Sequence, residues 1–120
     1  MTHKVFVYGT LKEGQSNHRL LNRSLFTGRD AAPGILYTGP AFPMAIEIGS
    51  LTGDPVVPMI NGELYEVDDN TLENLDRLEG HPDFYERKEV TLESGQIAWI
   101  YYWKGETDRL RFIPQGEWPA

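Results

Sequence analysis

The segment at residues 70–79 has the spacing of an amphipathic helix, and one carboxylate falls on its apolar face. With an advance of about 100° per residue, Leu72, Leu75 and Leu78 define one arc of this helix. Glu79 lies inside that arc, at about 340° when Leu72 is set to zero. Burial and the negative end of the helix dipole both favour the protonated form of this side chain. A carboxyl group whose pKa is raised towards neutrality suits a general acid/base, so Glu79 is the first catalytic candidate.

The same pattern allows a second interpretation, in which the helix frays over its last turn and Glu79 points to water. Helix ends inferred from sequence are uncertain by about 2–4 residues, so periodicity alone does not choose between the two. Asn70, with Glu73 three residues later, predicts a capping box at the start of the helix. Gly80 predicts its end.

A second candidate element is the loop Tyr8-Gly9-Thr10-Leu11, which follows a short apolar run. Gly9 permits a positive φ and a close approach of a ligand to the backbone. A turn at this point can present successive backbone N–H groups to an anion or an oxyanion. An ordinary exit from a strand explains the same residues, and the glycine spacing of a Walker A or dinucleotide motif is missing.

Other combinations of reactive side chains are weaker. His3, His18 and His81 are too scattered to predict a metal site, and the sequence contains no cysteine. The lack of cysteine excludes thiolate ligands, thiol nucleophiles and disulfides. No nucleophile elbow is present. Glu63 can form a carboxylate pair with Glu79, but a hydrogen-bonded, structural Glu63 is the favoured interpretation.

Two further groups are interpreted as structural. Tyr85 and Arg87 follow the helix and are expected to anchor the next strand. Trp99, Tyr101 and Trp103 alternate along a later strand, which is more typical of a core face than of a ligand platform.

The elements that must position these residues are mostly short strands. Apolar runs bounded by glycine and proline predict strands at residues 5–8, 35–37, 45–48, 60–67, 85–92 and 97–103. Ser16 can cap a short helix at residues 17–25, and residues 93–96 predict a hairpin between the last two strands. The tail after Gly105 is interpreted as irregular.

The length of 120 residues fits a single domain, residues 1–120. A strand-rich pattern with one or two helices predicts an α+β fold built around a curled sheet or a small barrel. The formal charge of −7, with no run of Lys or Arg, argues against nucleic-acid and membrane binding. The opening apolar run is too short for a signal peptide or a membrane span, so a cytoplasmic protein is the simplest interpretation.

Two separate motifs together carry a resemblance to a known family. The first is VFVYGTLKEGQSNH at residues 5–18, and the second is LDRLEG at residues 75–80, followed by YER at residues 85–87. They resemble the signatures of gamma-glutamylcyclotransferase-like proteins, with particular similarity to the gamma-glutamylamine cyclotransferase branch. GELY at residues 62–65 is similar to a connecting motif of the same family. The ending of the chain is more similar to bacterial relatives than to the longer animal enzymes.

The resemblance implies a small mixed β-barrel with flanking short helices. It also implies that Glu79 is the acid/base residue. The residues that would hold the glutamyl group are Tyr8, Gly9, Thr10 and Leu11. The implied reaction is attack of the substrate's α-amine on its own γ-carbonyl, which releases 5-oxoproline and a free amine or amino acid. This chemistry requires no metal or organic cofactor, and the expected partner is a small γ-glutamyl substrate bound by a monomer.

Three alternatives stay open at this point. A related enzyme on the same scaffold can act on a γ-glutamyl biosynthetic intermediate. A non-catalytic module can bind a small carboxylate without turnover. A hydrolase that uses a carboxylate pair would incorporate water into its product.

Overall fold

The computed structural model describes residues 2–48 and 58–119. Its elements in chain order are β1 (Thr2–Val7), a 3₁₀ turn (His18–Leu21), β2 (Leu25–Pro33), β3 (Ile35–Thr38), β4 (Pro43–Ile46), β5 (Met59–Asp68), α1 (Asp69–Glu79), β6 (Tyr85–Thr91), β7 (Ile97–Trp103) and β8 (Arg111–Phe112). The predicted α+β class is confirmed, with mostly strands and one α-helix in these described ranges. None of the helices found there is long and apolar enough to cross a bilayer.

The strands form two sheets. The larger has the order β2-β5-β1-β7-β6, and the smaller has the order β4-β3-β8. β1 is the central strand of the larger sheet, antiparallel to β5 and parallel to β7. β6 and β7 pair antiparallel, in agreement with the predicted hairpin. The expected barrel is not confirmed, because the strands that the structure describes lie in two separate sheets without closure.

Both faces of the larger sheet are covered at its centre. Val5, Phe6 and Val7 are all buried, and successive side chains of a strand point to opposite faces. Phe6 lies in a core cluster with Leu36 of the smaller sheet. Val5 and Val7 lie in a second cluster with Leu75 of α1. The end of β1 is therefore held between the smaller sheet and the helix.

α1 follows β5 directly and is capped at both ends. The side chain of Asp68 accepts a hydrogen bond of 2.7 Å from the backbone N–H of Thr71, so Asp68 is the N-cap. The predicted capping box at Asn70 is wrong, because the carboxylate at the end of β5 already satisfies the first turn. Gly80 ends the helix with a φ of 65°, as predicted.

Two segments differ from the sequence prediction because strand pairing overrides their local pattern. The helix predicted at residues 17–25 is reduced to the 3₁₀ turn, and β2 then pairs with β5 along its length. The tail predicted to be irregular contributes β8, which pairs with Tyr37 and Thr38 of β3. Pairing of this kind depends on residues distant in sequence, so local patterns do not show it.

Candidate active site

A cleft of about 260 Å³ opens where the chain leaves the end of β1. Its walls come from the end of β1 and the loop after it, residues 42–43, the last turn of α1, and single side chains of β6 and β7. The five residues nominated from the sequence all line this cleft: Tyr8, Gly9, Thr10, Leu11 and Glu79.

Glu79 is the last residue of α1, and its side chain is partly buried in the wall of the cleft. The N–H groups of Gly80 and His81 donate to carbonyls of the last turn of α1, so the helix stays intact to its end. A Cβ on Gly80 would lie 2.6 Å from the ring of Phe84. Two features therefore require glycine at position 80: its positive φ and the lack of space for a Cβ. The alternative in which the helix frays before Glu79 does not match this geometry.

Burial raises the pKa of Glu79 from its ordinary value of 4.5 to about 7. The cause is desolvation, because the ionised carboxylate loses water when the cleft walls pack against it. Within residues 2–48 and 58–119, no hydrogen bond and no net charge of the neighbouring groups adds to this shift. A carboxyl group with such a pKa can both accept and return a proton near neutral pH.

Three tyrosines, Tyr8, Tyr85 and Tyr101, surround this carboxylate. Tyr8 Oη donates to the carbonyl of Tyr101 over 2.6 Å and accepts from the N–H of Ala45 over 3.2 Å. Tyr85 Oη donates to the carbonyl of Pro43 over 3.0 Å. Burial is the largest cause that raises the pKa of each tyrosine, so all three hydroxyls stay neutral at physiological pH.

The loop after β1 is a tight turn that forms one wall of the cleft. The N–H of Lys12 donates to the Gly9 carbonyl over 3.0 Å, and the N–H of Asn17 donates to the Thr10 carbonyl over 2.8 Å. Asn17 Nδ2 also donates to Thr10 Oγ1 over 2.9 Å. Among the described residues, the N–H groups of Gly9, Thr10 and Leu11 have no protein acceptor. Because these three residues line the cleft, their N–H groups are the candidate donors to a negatively charged group bound there.

Gly9 is required for a different reason from the one predicted. Its φ is not positive, which corrects the expectation of a left-handed conformation at this residue. A Cβ at this position would instead stand 2.7 Å from Cγ of Pro43. Glycine therefore lets β4 pack directly against the loop and close the wall of the cleft.

Glu63 does not form the carboxylate pair with Glu79. It is buried on β5, and its Oε1 accepts from Tyr65 Oη and from the N–H of Glu13, both over 2.9 Å. It does not line the cleft. Its role is therefore structural, as favoured from the sequence. Across the two described ranges, no group of three His, Asp or Glu side chains is arranged to hold a metal ion.

Comparison with known proteins establishes the family. A family model described as gamma-glutamyl cyclotransferase, AIG2-like, matches residues 5–120. The chain belongs to this family. The resemblance noted in the sequence is therefore confirmed over nearly the whole chain.

The relatives agree with this assignment. A Vibrio cholerae protein provisionally named gamma-glutamylcyclotransferase is 40% identical over 121 residues, which cover 98% of this chain and 96% of that protein. The gamma-glutamylaminecyclotransferase of Bos taurus is 41% identical over 93 residues, which cover 69% of this chain and 52% of that enzyme. The structure of an AIG2-like protein from Mus musculus matches with a TM-score of 0.73 and 27% identity, covering 94% of this chain and 86% of that one. This chain is accordingly a cyclotransferase enzyme.

Sequence reasoning missed part of the cleft of this gamma-glutamyl cyclotransferase. Asn17, Phe42 and Pro43 line it, but only tertiary packing brings them there. Tyr101 was assigned to the core from its alternation with aromatic neighbours; it is buried, yet it also faces the cleft. Leu78 was placed in the core by helical spacing and is 41% exposed, because the cleft replaces packed core at the last turn of α1.

Proposed function

We propose that this gamma-glutamyl cyclotransferase acts on L-γ-glutamylamines and converts their glutamyl part to 5-oxoproline with release of the amine. The observation that carries the proposal is the position of Glu79 in the same cleft as the free N–H groups of residues 9–11. A titratable carboxyl and a set of anion donors are the two functions that this reaction needs from a protein.

The glutamyl part of the substrate fits the polar wall of the cleft. The N–H groups of Gly9, Thr10 and Leu11 would bind the α-carboxylate or the oxyanion that develops on the γ-carbonyl. The hydroxyl of Tyr8 is held by two backbone groups, so it serves as a fixed wall. These contacts would hold the substrate curled, with its α-amine near its γ-carbonyl.

Glu79 would carry out both proton transfers. Its carboxylate takes a proton from the α-ammonium, and the freed amine attacks the γ-carbonyl carbon to form the ring C–N bond. The carbonyl electrons collect on oxygen, next to the N–H donors. The protonated Glu79 then gives its proton to the leaving nitrogen as the original C–N bond breaks. The ring nitrogen passes its second proton to the released amine, so the products are 5-oxoproline and an ammonium ion, and the carboxylate is regenerated.

The apolar part of the cleft lining favours an amine without a carboxylate as the leaving group. Phe42 and Leu78 line the cleft and are 44% and 41% exposed, so they mark its mouth with apolar surface. Within the described ranges, no Lys, Arg or His side chain lines the cleft. The segment at residues 49–57 contains none of these three residue types. A leaving amino acid would bring a second carboxylate with no cation to pair with, which is unfavourable near an apolar surface.

A matched pair of substrates tests the proposal. γ-Glutamylethylamide and γ-glutamylalanine differ in their leaving groups by one carboxylate, and the α-N-acetyl derivative of the ethylamide lacks a nucleophilic amine. We expect 5-oxoproline from the ethylamide, a lower kcat/KM for the alanine compound and no turnover of the acetylated one. Mass spectrometry in oxygen-labelled water identifies the products.

Four results would contradict the proposal. Labelled glutamate as the first product would indicate a hydrolase, and so would equal turnover of the acetylated compound. Tight binding of the ethylamide without any product would favour the non-catalytic carboxylate-binding module. A higher kcat/KM for the alanine compound would assign a γ-glutamyl amino acid as the preferred substrate.

A further inference from the structure

A partly buried ion pair lies beside the last turn of α1. Arg87 Nε and Nη2 donate to the two carboxylate oxygens of Asp76 over 3.0 and 3.2 Å. The side chains of Arg87 and Asp76 are only 18% and 22% exposed. Tyr101 Oη donates to the same carboxylate over 2.7 Å, and the guanidinium lies 4.2 Å from the centre of the Trp99 ring. The pair is therefore fixed on several sides.

We propose that Asp76 and Arg87 are positioning residues that fix the last turn of α1, which carries Glu79, while presenting no net charge to its carboxylate. The proposal rests on the proposed acid/base role of Glu79. Neither Asp76 nor Arg87 lines the cleft, so both act through Glu79 and not on the substrate.

The positioning follows from what the pair connects. Asp76 lies three residues before Glu79, so the two carboxylates are neighbours on the helix surface. Arg87 lies on β6, and its backbone N–H donates to His81 Nδ1 over 3.0 Å. β6 thus holds both the last turn of α1 and the turn that follows it. A bidentate pair fixes orientation as well as distance, which a single charge contact does not.

The charge balance follows from the groups that face Glu79. Tyr8 at the end of β1, Tyr85 on β6 and Tyr101 on β7 face it, and burial keeps these hydroxyls neutral. The loop after β1 and the start of β4 present uncharged side chains to the cleft.

The remaining charges belong to α1 and the segment after it. Arg77 on α1 is exposed and bonded to Asn74, and Asp83 in the following turn is also exposed, so water screens both. His81 accepts at Nδ1 from the Arg87 N–H, which requires that nitrogen to be unprotonated. Asp76 and Arg87 are therefore less exposed than the other charged groups of α1 and the following turn, and their opposite charges cancel.

Each single neutralisation should therefore leave one charge unbalanced beside Glu79. Arg87→Met leaves the anionic Asp76, which disfavours ionisation of Glu79. Asp76→Asn leaves the cationic Arg87, which favours it. The double variant, which combines Arg87→Met with Asp76→Asn, removes both charges. It still lacks the contacts that position the last turn of α1.

The test is the pH dependence of kcat/KM for γ-glutamylethylamide, together with an NMR titration of the Glu79 carboxyl in the free protein. We expect the midpoint to move up by about one pH unit in Arg87→Met and down by about the same amount in Asp76→Asn. The double variant should return to the wild-type midpoint, with kcat lowered about 10–100-fold by the loss of positioning. Arg77→Met removes an exposed positive charge of the same helix and should leave both midpoint and kcat unchanged.

Arg87→Lys keeps the charge but not the bidentate geometry, and it serves if a more drastic variant fails to fold. It should keep the midpoint and lower kcat. Unchanged midpoints in both single variants, or shifts of the same sign, would overturn the charge balance. An unchanged kcat in Arg87→Lys and the double variant would overturn the positioning role. The NMR titration needs no turnover, so it reports on the ion pair even if the proposed reaction is wrong.

Discussion

Replacing Glu79 with glutamine should make the protein more stable at neutral pH while abolishing its activity. Glutamine has nearly the same shape and keeps a polar group in the cleft wall, but it cannot ionise. Loss of general acid/base help should lower kcat about 10²–10⁴-fold. The gain in stability is the less obvious consequence, and it follows from the burial of the carboxyl group alone.

The magnitude comes from the two pKa values of this carboxyl. It is 4.5 when the group is exposed, as in the unfolded chain, and burial raises it to about 7 in the fold. Between these values the folded state holds a proton that the unfolded state has released, so the stability of the wild type falls as the pH rises. At about 1.4 kcal/mol per pH unit, the difference of about 2.5 units between the two pKa values amounts to about 3.5 kcal/mol above pH 7. Water at the cleft mouth screens part of it, which leaves about 2–3 kcal/mol.

Urea unfolding of both proteins between pH 4.5 and 8.5 measures this difference. The free energies of unfolding should be similar at pH 4.5 and diverge to about 2–3 kcal/mol in favour of Glu79→Gln above pH 7. All other titrating groups are common to both proteins, so their contributions cancel. A difference that does not change with pH would refute the buried, pKa-shifted carboxyl. If activity survives in the variant, the proposed acid/base role is refuted separately.

Three further outcomes are expected. Gly80→Ala should lower the free energy of unfolding by about 1 kcal/mol or more, because the residue has a φ of 65° and its Cβ would meet Phe84; an unchanged Tm in calorimetry would argue against the left-handed cap. Gly9→Ala should displace Pro43 and lower kcat/KM at least about 10-fold. Steady-state kinetics equal to wild type would show that Pro43 can move without any effect on the cleft. The wild-type kcat/KM should rise with pH through an ionisation near 7, because Glu79 must start as the base; a flat profile from pH 5 to 9 would exclude it.

The catalytic candidates could be predicted from sequence because their signals are local. Glu79 breaks a leucine pattern within one helix, and Gly80 marks the end of that helix. The loop with Gly9 follows a strongly apolar strand. In each case a few neighbouring residues carry the information, and the family motifs add the chemical role.

The walls around those candidates could not be predicted, because distant segments form them. Phe42 and Pro43 reach the cleft only after β4 folds back over the end of β1. The reason for Gly9 depends on that same approach of Pro43, so the sequence suggested positive φ where close packing is the cause. β2 and β8 likewise form through pairing with strands far along the chain.

Two of the three tyrosine hydroxyls around the cleft, those of Tyr8 and Tyr85, bond to backbone groups and not to side chains. Tyr8 is tied to the carbonyl of Tyr101 and the N–H of Ala45, and Tyr85 is tied to the carbonyl of Pro43. Every amino acid has a carbonyl, and every one except proline has an N–H. Mutations at positions 43 and 45 can therefore accumulate without removing these ties, apart from proline at position 45. The architecture separates the rigidity of the cleft from the identity of its neighbouring residues, which gives evolution or an engineer freedom to reshape the wall.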